Sequence, residues 1–211
     1  ISCSLVGSEM CIRDRAYNAI SKVDKDGDGM LTEEELSSLT TLSNRNDNVY
    51  SMFKDNTVIE TFNEFQYFTG LEFINSSSFE GCSSLKEITL PVLTKMGNGV
   101  FAGSGIEKLI IPEGYQNIGP LVLQRCYNLR LVDFPSTVTS ISEGGSLFWA
   151  MKNQVTVICR AFTPPTFGTW GYDGDPKVIY VPDVSVDAYK LAAGWSLQAT
   201  KIYPLSTYME L

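Results

Sequence analysis

The 211-residue chain contains no histidine. That absence removes Ser-His-Asp and Cys-His catalysis, and it leaves zinc only all-Cys or carboxylate ligation. Cations are scarce as well: 16 Lys and Arg stand against 24 Asp and Glu, giving a net charge of −8, and no basic run exists to track phosphates. Nucleic acid is therefore not an expected partner. No apolar run approaches the ~20 residues of a membrane span. Five cysteines, at 3, 11, 82, 126 and 159, form no CxxC pair and are too sparse for a disulfide scaffold, so they leave the redox compartment open. At 44% hydrophobic and 19% charged, the composition is globular and sufficient to bury a core.

The chain starts at Ile1 with no basic segment ahead of an apolar one, and it is expected to be a fragment whose secretion signal is missing. Its opening, ISCSLVGSEMCIRDR, shows neither helical nor strand period and resembles translated sequencing-adapter read-through. Residues 1–15 are expected to be a non-native or flexible leader, and Cys3 and Cys11 carry no functional weight.

What is present in excess is local. Residues 24–35, DKDGDGMLTEEE, hold six carboxylates, a cluster that repels itself unless a cation sits within it or water solvates it. Counting from Asp24, oxygen-bearing side chains fall at loop positions 1, 3 and 5 (Asp24, Asp26, Asp28), with Gly29 at 6, Thr32 at 9 and Glu35 at 12. That is the EF-hand spacing. Three alternating Asp surround one centre, Gly29 turns the chain, Met30 offers a backbone carbonyl, Thr32 ligates directly or through water, and Glu35 closes the shell. Calcium is the expected cofactor, held by Asp24, Asp26, Asp28, Met30, Thr32 and Glu35, while Glu33 and Glu34 should face solvent. Ala16, Ala19, Ile20 and Val23 before the loop, and Leu36, Leu39 and Leu42 after it, recur at helical spacing. Residues 16–58 are thus expected to form a helix-loop-helix and connector. The stretch NRNDNVY (44–50) lacks the glycine and closing Glu of a second loop, so Leu31 and the flanking helices must bury themselves on something else.

From about residue 65 the sequence repeats with a period near 22. FEGCSSLKEITLP (79–91) recurs as FAGSGIEKLIIP (101–112) and LQRCYNLRLVDFP (123–135). Phe79, Phe101 and Leu123 align, as do Leu85, Ile106 and Leu129, then Ile88, Leu109 and Val132, then Leu90, Ile111 and Phe134, each set ending in Pro91, Pro112 or Pro135. A second apolar series runs through Ile74, Met96, Ile118 and Ile141. Roughly three and a half coils are legible, and they can bury these positions only by stacking. Cys82 and Cys126 stand two rungs apart, at about 9.5 Å between Cα atoms, too far for a disulfide. They and Cys159 are expected to be buried thiols.

These residues resemble the BspA-type leucine-rich repeat family of bacterial surface proteins, and the acidic loop ahead of them resembles secreted proteins of gut Bacteroides-like bacteria. The resemblance implies a strand-rich α/β leucine-rich repeat solenoid over 59–154, preceded by the small EF-hand. It also implies a C-terminal cap over 155–211, with a short helix from about Val186 to Ala193 ended by Gly194. Ser104 departs from the Cys position, and the register drifts around SEGGSLFWAMKNQ (142–154). The class implied is a secreted or cell-surface, monomeric, non-enzymatic module that binds a host or matrix protein or a glycan, or alternatively a spacer domain of a larger surface protein. A carboxylate-pair glycosidase is the less favoured third reading, because Glu107, Glu113, Asp133 and Glu143 show no pairing in sequence. Trp170 and Tyr172, in the Gly-rich loop FGTWGYDGDP (167–176), could present rings to a sugar, or Trp170 could simply pack on the last coil.

Overall fold

A computed structural model describes residues 32–40, 53–151 and 154–209. Buried and exposed side chains alternate for only two to four residues before a proline or glycine interrupts, so most strands are short. They are β1 (Thr61–Phe62), β2 (Glu87–Ile88), β3 (Lys95–Met96), β4 (Lys108–Ile110), β5 (Asn117–Ile118), β6 (Leu131–Phe134), β7 (Ser140–Ser146), β8 (Thr156–Cys159), β9 (Thr166–Thr169), β10 (Val178–Val181) and β11 (Ile202–Pro204). All their pairings are parallel. One sheet has the order β11-β10-β8-β6-β4, a second β3-β5-β7-β9, and β1 pairs with β2.

Register places the apolar series in columns. Leu109 lies opposite Val132, Val132 opposite Val157, Val157 opposite Ile179 and Ile179 opposite Ile202. On the other sheet Met96, Ile118, Ile141 and Phe167 are successive partners, and Ile74 bridges to Met96. All nine repeat positions from Leu85 to Phe134 expected to face one interior are buried in a single continuous core. Each coil is too thin to hide its own apolar residues, and stacking is what removes them from water.

Between the two sheets each coil turns a corner that repeats more strictly than the strands do. The corner residue has a left-handed backbone at Asp55, Gly81, Gly103, Arg125, Ala150 and Asp173. Its amide donates to the carbonyl one rung on: Asp55 to Glu80 (2.7 Å), Gly81 to Ala102 (2.8 Å), Gly103 to Gln124 (2.7 Å), Arg125 to Trp149 (3.0 Å) and Ala150 to Tyr172 (2.9 Å). Two residues before these acceptors' partners sits the inward column, where Phe53 stacks on Phe79 (5.2 Å, 5° between planes) and Phe79 on Phe101 (5.4 Å, 8°). The corner therefore occurs six times among the described residues, more than the three and a half coils legible in the sequence. The first coil begins at Phe53. It escapes a fixed period because the 3-10 turn Asn63–Tyr67 lengthens it, and the coil around Trp149 escapes it because β7 and β9 slip register between Ile141 and Ser146.

Both ends of the stack carry a helix. At the start, α1 (Glu33–Ser37) buries Leu36 in the common core and lays Leu39 against it. Gly70 permits this approach, since a Cβ there would run into the backbone carbonyls of Ser37 and Leu39. At the far end, α2 (Val186–Leu191) stops two residues earlier than its sequence suggests, and Gly194 takes φ +79 just beyond it. Its Tyr189 hydroxyl donates to the Ala161 carbonyl at 2.8 Å, and the Trp195 indole to the Pro165 carbonyl at 3.0 Å. No helix among the described residues is long and apolar enough to cross a membrane.

Candidate functional site

Of the six loop positions with calcium-ligating character, Asp24, Asp26, Asp28 and Met30 lie outside the described residues, as does Leu31. Thr32 and Glu35 are described, and the structure brings them together. Thr32 is the N-cap of α1, and its hydroxyl accepts from the Glu35 amide at 3.2 Å. Glu35 Oε2 in turn accepts from the Thr32 amide at 2.9 Å and from its hydroxyl at 3.0 Å. This reciprocal capping box satisfies helix-start donors that would otherwise lack partners. It also turns the Glu35 carboxylate back onto Thr32. Glu35 is only 6% exposed, a costly position for a carboxylate unless donors or a cation compensate it. The residues present thus fit the closing end of a calcium shell, while Glu34 points into solvent.

The acids of the repeats have other occupations. Asp133, buried in β6, forms a bidentate pair with Arg160, whose Nε and Nη2 lie 2.9 and 2.6 Å from its two oxygens. That contact raises the guanidinium's pKa further. Glu113 accepts from the Ser136 amide (3.0 Å), the Ser136 hydroxyl (2.9 Å) and the Thr137 amide (3.3 Å), and these donors, the Ser136 amide first, hold its carboxyl below the usual range. Glu143 accepts from the Ser140 hydroxyl at 3.1 Å. Glu107 lies on the exposed face of the coils.

That face carries one concavity. A groove of about 620 Å³ opens where β2 gives way to β4, walled by Lys86, Glu87, Thr89, Glu107, Lys108 and Ile110. Strand alternation explains it: Ile88 and Leu109 point inward, so their neighbours must point out. Ile110 remains 45% exposed among charges of both signs. A second concavity, about 280 Å³, lies beside the corner at Trp149 and Tyr172. Here the Gly-rich loop divides: Trp170 is buried, donating its indole N–H to the Gly194 carbonyl at 3.1 Å, and Tyr172 is exposed. Trp149 was not singled out by sequence, because only the corner alignment shows that it stands one rung from Tyr172.

The three described thiols are buried. Cys82 and Cys126 each donate to the carbonyl of an inward-column residue, Phe53 and Phe101, at 3.0 Å. Burial pushes both up to about 12 and Cys159 up to about 11.

Residues 50–154 match the family model for a BspA type leucine rich repeat region, in six copies. No curated protein matches the chain.

Proposed function

We propose, from this repeat region and the open face of its coils, that the chain is a calcium-binding leucine-rich repeat solenoid segment of a bacterial secreted or cell-surface protein. It binds a protein or glycan partner and catalyses no reaction. The observation that carries the reading is the groove along β2 and β4, where an exposed isoleucine sits between lysines and glutamates on a rigid parallel scaffold. Recognition by adhesion modules uses such a surface: an apolar centre supplies affinity and mixed charge supplies register. Asp133, Glu113 and Glu143 hold structural contacts, which supports a binding module over glycoside hydrolysis by these three acids.

Calcium, held by Asp24, Asp26, Asp28, Met30, Thr32 and Glu35, acts through stability. Because α1 buries Leu36 in the first coil, ordering the loop orders the cap that covers the open end of the stack. With free calcium near 1 mM and a dissociation constant of about 10 μM, linkage adds roughly 2.7 kcal/mol. Thermal melts of wild type and Glu35→Gln, each in calcium and in EDTA, should show a higher Tm only for wild type in calcium. Equal wild-type melts in both buffers sink the capping role, and calorimetry without a calcium heat sinks the site. For the partner, arrays of matrix proteins and glycans probed with wild type and Glu87→Lys should show a hit that the substitution weakens. An array blank for both proteins would instead favour a spacer domain.

A further inference from the structure

The corner column ends differently from how it begins. Its outward residues are Lys54, Glu80, Ala102, Gln124, Trp149 and Tyr172, each one position before a left-handed corner. The first two neutralise each other, Lys54 Nζ lying 3.1 Å from Glu80. The last two are large aromatics left in water, Trp149 at 42% and Tyr172 at 70% exposure. Their ring centroids are 6.3 Å apart with planes tilted by 42°, so they form an angled shelf rather than a closed stack.

The shelf is fixed in advance. The Trp149 carbonyl accepts from Arg125 and the Tyr172 carbonyl from Ala150, so both residues are tied into the rung ladder. Ala150 and Asp173 hold left-handed backbones at φ +55 and +54 although neither is glycine, a strain that persists only where surrounding structure imposes it. Gly171, at φ +102, lets the loop press onto the coil below, because a Cβ there would collide with the Phe148 carbonyl oxygen. Two exposed rings that need no ordering on binding lose little entropy when a ligand arrives.

Beside the shelf the 280 Å³ pocket adds hydrogen-bonding groups. Gln198, itself buried, donates from Nε2 to Asp175 Oδ1 at 2.8 Å and so fixes that carboxylate. The hydroxyls of Ser146 and Thr169 lie 2.9 Å apart on the same wall. A ligand matched to this lining has an apolar C–H face for the rings and a rim of hydroxyls for a fixed carboxylate, an amide and two alcohols. A pyranose has both. An anionic ligand is disfavoured by Asp175 and by the net charge of −8, and a cation by Lys201, whose Nζ lies 3.6 Å from Asp175 Oδ2. Just below the usual ligand-pocket sizes (roughly 300–1,000 Å³), the cavity suits one or two rings better than a folded protein surface.

We propose that Trp149 and Tyr172, with Asp175 and Gln198, form a subsite for the pyranose rings of a neutral oligosaccharide. The subsite lies on the last coils, apart from the groove on the first, and its failure would leave the groove reading standing. The full chain should be titrated with cellohexaose, xylohexaose, mannohexaose and laminarihexaose, following tryptophan emission and saturation-transfer NMR. At least one should bind, with saturation strongest on ring C–H protons. Trp149→Ala and Tyr172→Ala should each weaken it by about tenfold or more while leaving Tm unchanged, and Asp175→Asn should weaken it several-fold. Val184→Ser, at an exposed position that lines neither concavity, should leave it unaltered. No binding of any of the four at about 10 mM, or binding that survives both aromatic substitutions, overturns the proposal. So does an outcome in which the aromatic substitutions abolish capture of a protein partner and no saccharide binds.

Discussion

Leu109 is the sharpest place to test the register, because a one-residue slip of β4 would exchange it with Ile110 and turn it out to solvent. It is fully buried at the centre of the strand, between Ile88 on one rung and Val132 on the next. Truncation to Ala removes three carbons, worth about 2.4 kcal/mol at roughly 0.8 kcal/mol for each buried methylene. A cavity contribution adds to this, and collapse is hindered here. The Glu107 amide donates to the Lys86 carbonyl at 3.1 Å and the Arg130 amide to the Glu107 carbonyl at 2.8 Å, which holds the rungs apart on both sides. The expected loss is therefore in the upper part of the usual range for Leu→Ala, about 3–5 kcal/mol. For a chain of this length that corresponds to a fall in Tm of roughly 6–20 °C. Urea unfolding followed by circular dichroism would measure it, with Ile110→Ala as the internal control, expected to cost under about 1 kcal/mol. A loss below about 0.5 kcal/mol at Leu109, or equal losses at the two positions, would refute the register and with it the columns.

Four further outcomes follow from buried polar groups. Native protein at pH 8 should not react with a thiol reagent at Cys82, Cys126 or Cys159, and all three should react in denaturant; native reactivity at Cys126 would contradict its burial. Because burial raises these thiols to about 12, 12 and 11 in the folded chain, their contribution is complete below the unfolded value near 8.5 and is lost as pH rises from there toward 12. Stability should accordingly decline above about pH 9, and Cys126→Ser should make the decline shallower. The Tyr115 hydroxyl is buried without a hydrogen-bond partner among the described residues, so Tyr115→Phe should stabilise by about 1 kcal/mol in thermal melts; a loss of that size would mean the hydroxyl is satisfied. Arg160→Met should cost roughly 1–3 kcal/mol in urea unfolding, since it strands the Asp133 carboxylate while Arg160 itself is half-exposed. No change would assign the pair no structural role.

The columns were legible in sequence because burial repeats where pairing repeats. Ile88, Leu109 and Val132 share a chemical type and a spacing, and each is followed two residues on by another buried apolar residue and then a proline. The coil starting at Phe53 was hidden because Asn63–Tyr67 lengthens it and because its corner residue is Asp55 where the next two coils have glycine. The buried reading of Cys82, Cys126 and Cys159 could be made from their place in the repeat alone. The Asp133–Arg160 pair could not: it joins residues 27 apart that the pattern does not single out. For the acidic loop, the expectation for Asp24, Asp26 and Asp28 rests on spacing alone, and those residues lie outside the described ones, which begin with the Thr32–Glu35 box. Trp149 and Tyr172 become neighbours only once the irregular coil between them is aligned by its corner, a constraint of backbone conformation rather than of side-chain type.

The six corners are separated by 26, 22, 22, 25 and 23 residues, yet the first five all return to the same hydrogen bond. An inserted residue in an ordinary sheet shifts everything beyond it. Here the corner resets the count once per turn, so an insertion is confined to the coil that receives it and the next coil begins in phase. The fold is in this sense error-correcting. Loops between corner and strand can lengthen, shorten or acquire new side chains without scrambling the core downstream, and a stack built this way can diversify its surface one rung at a time.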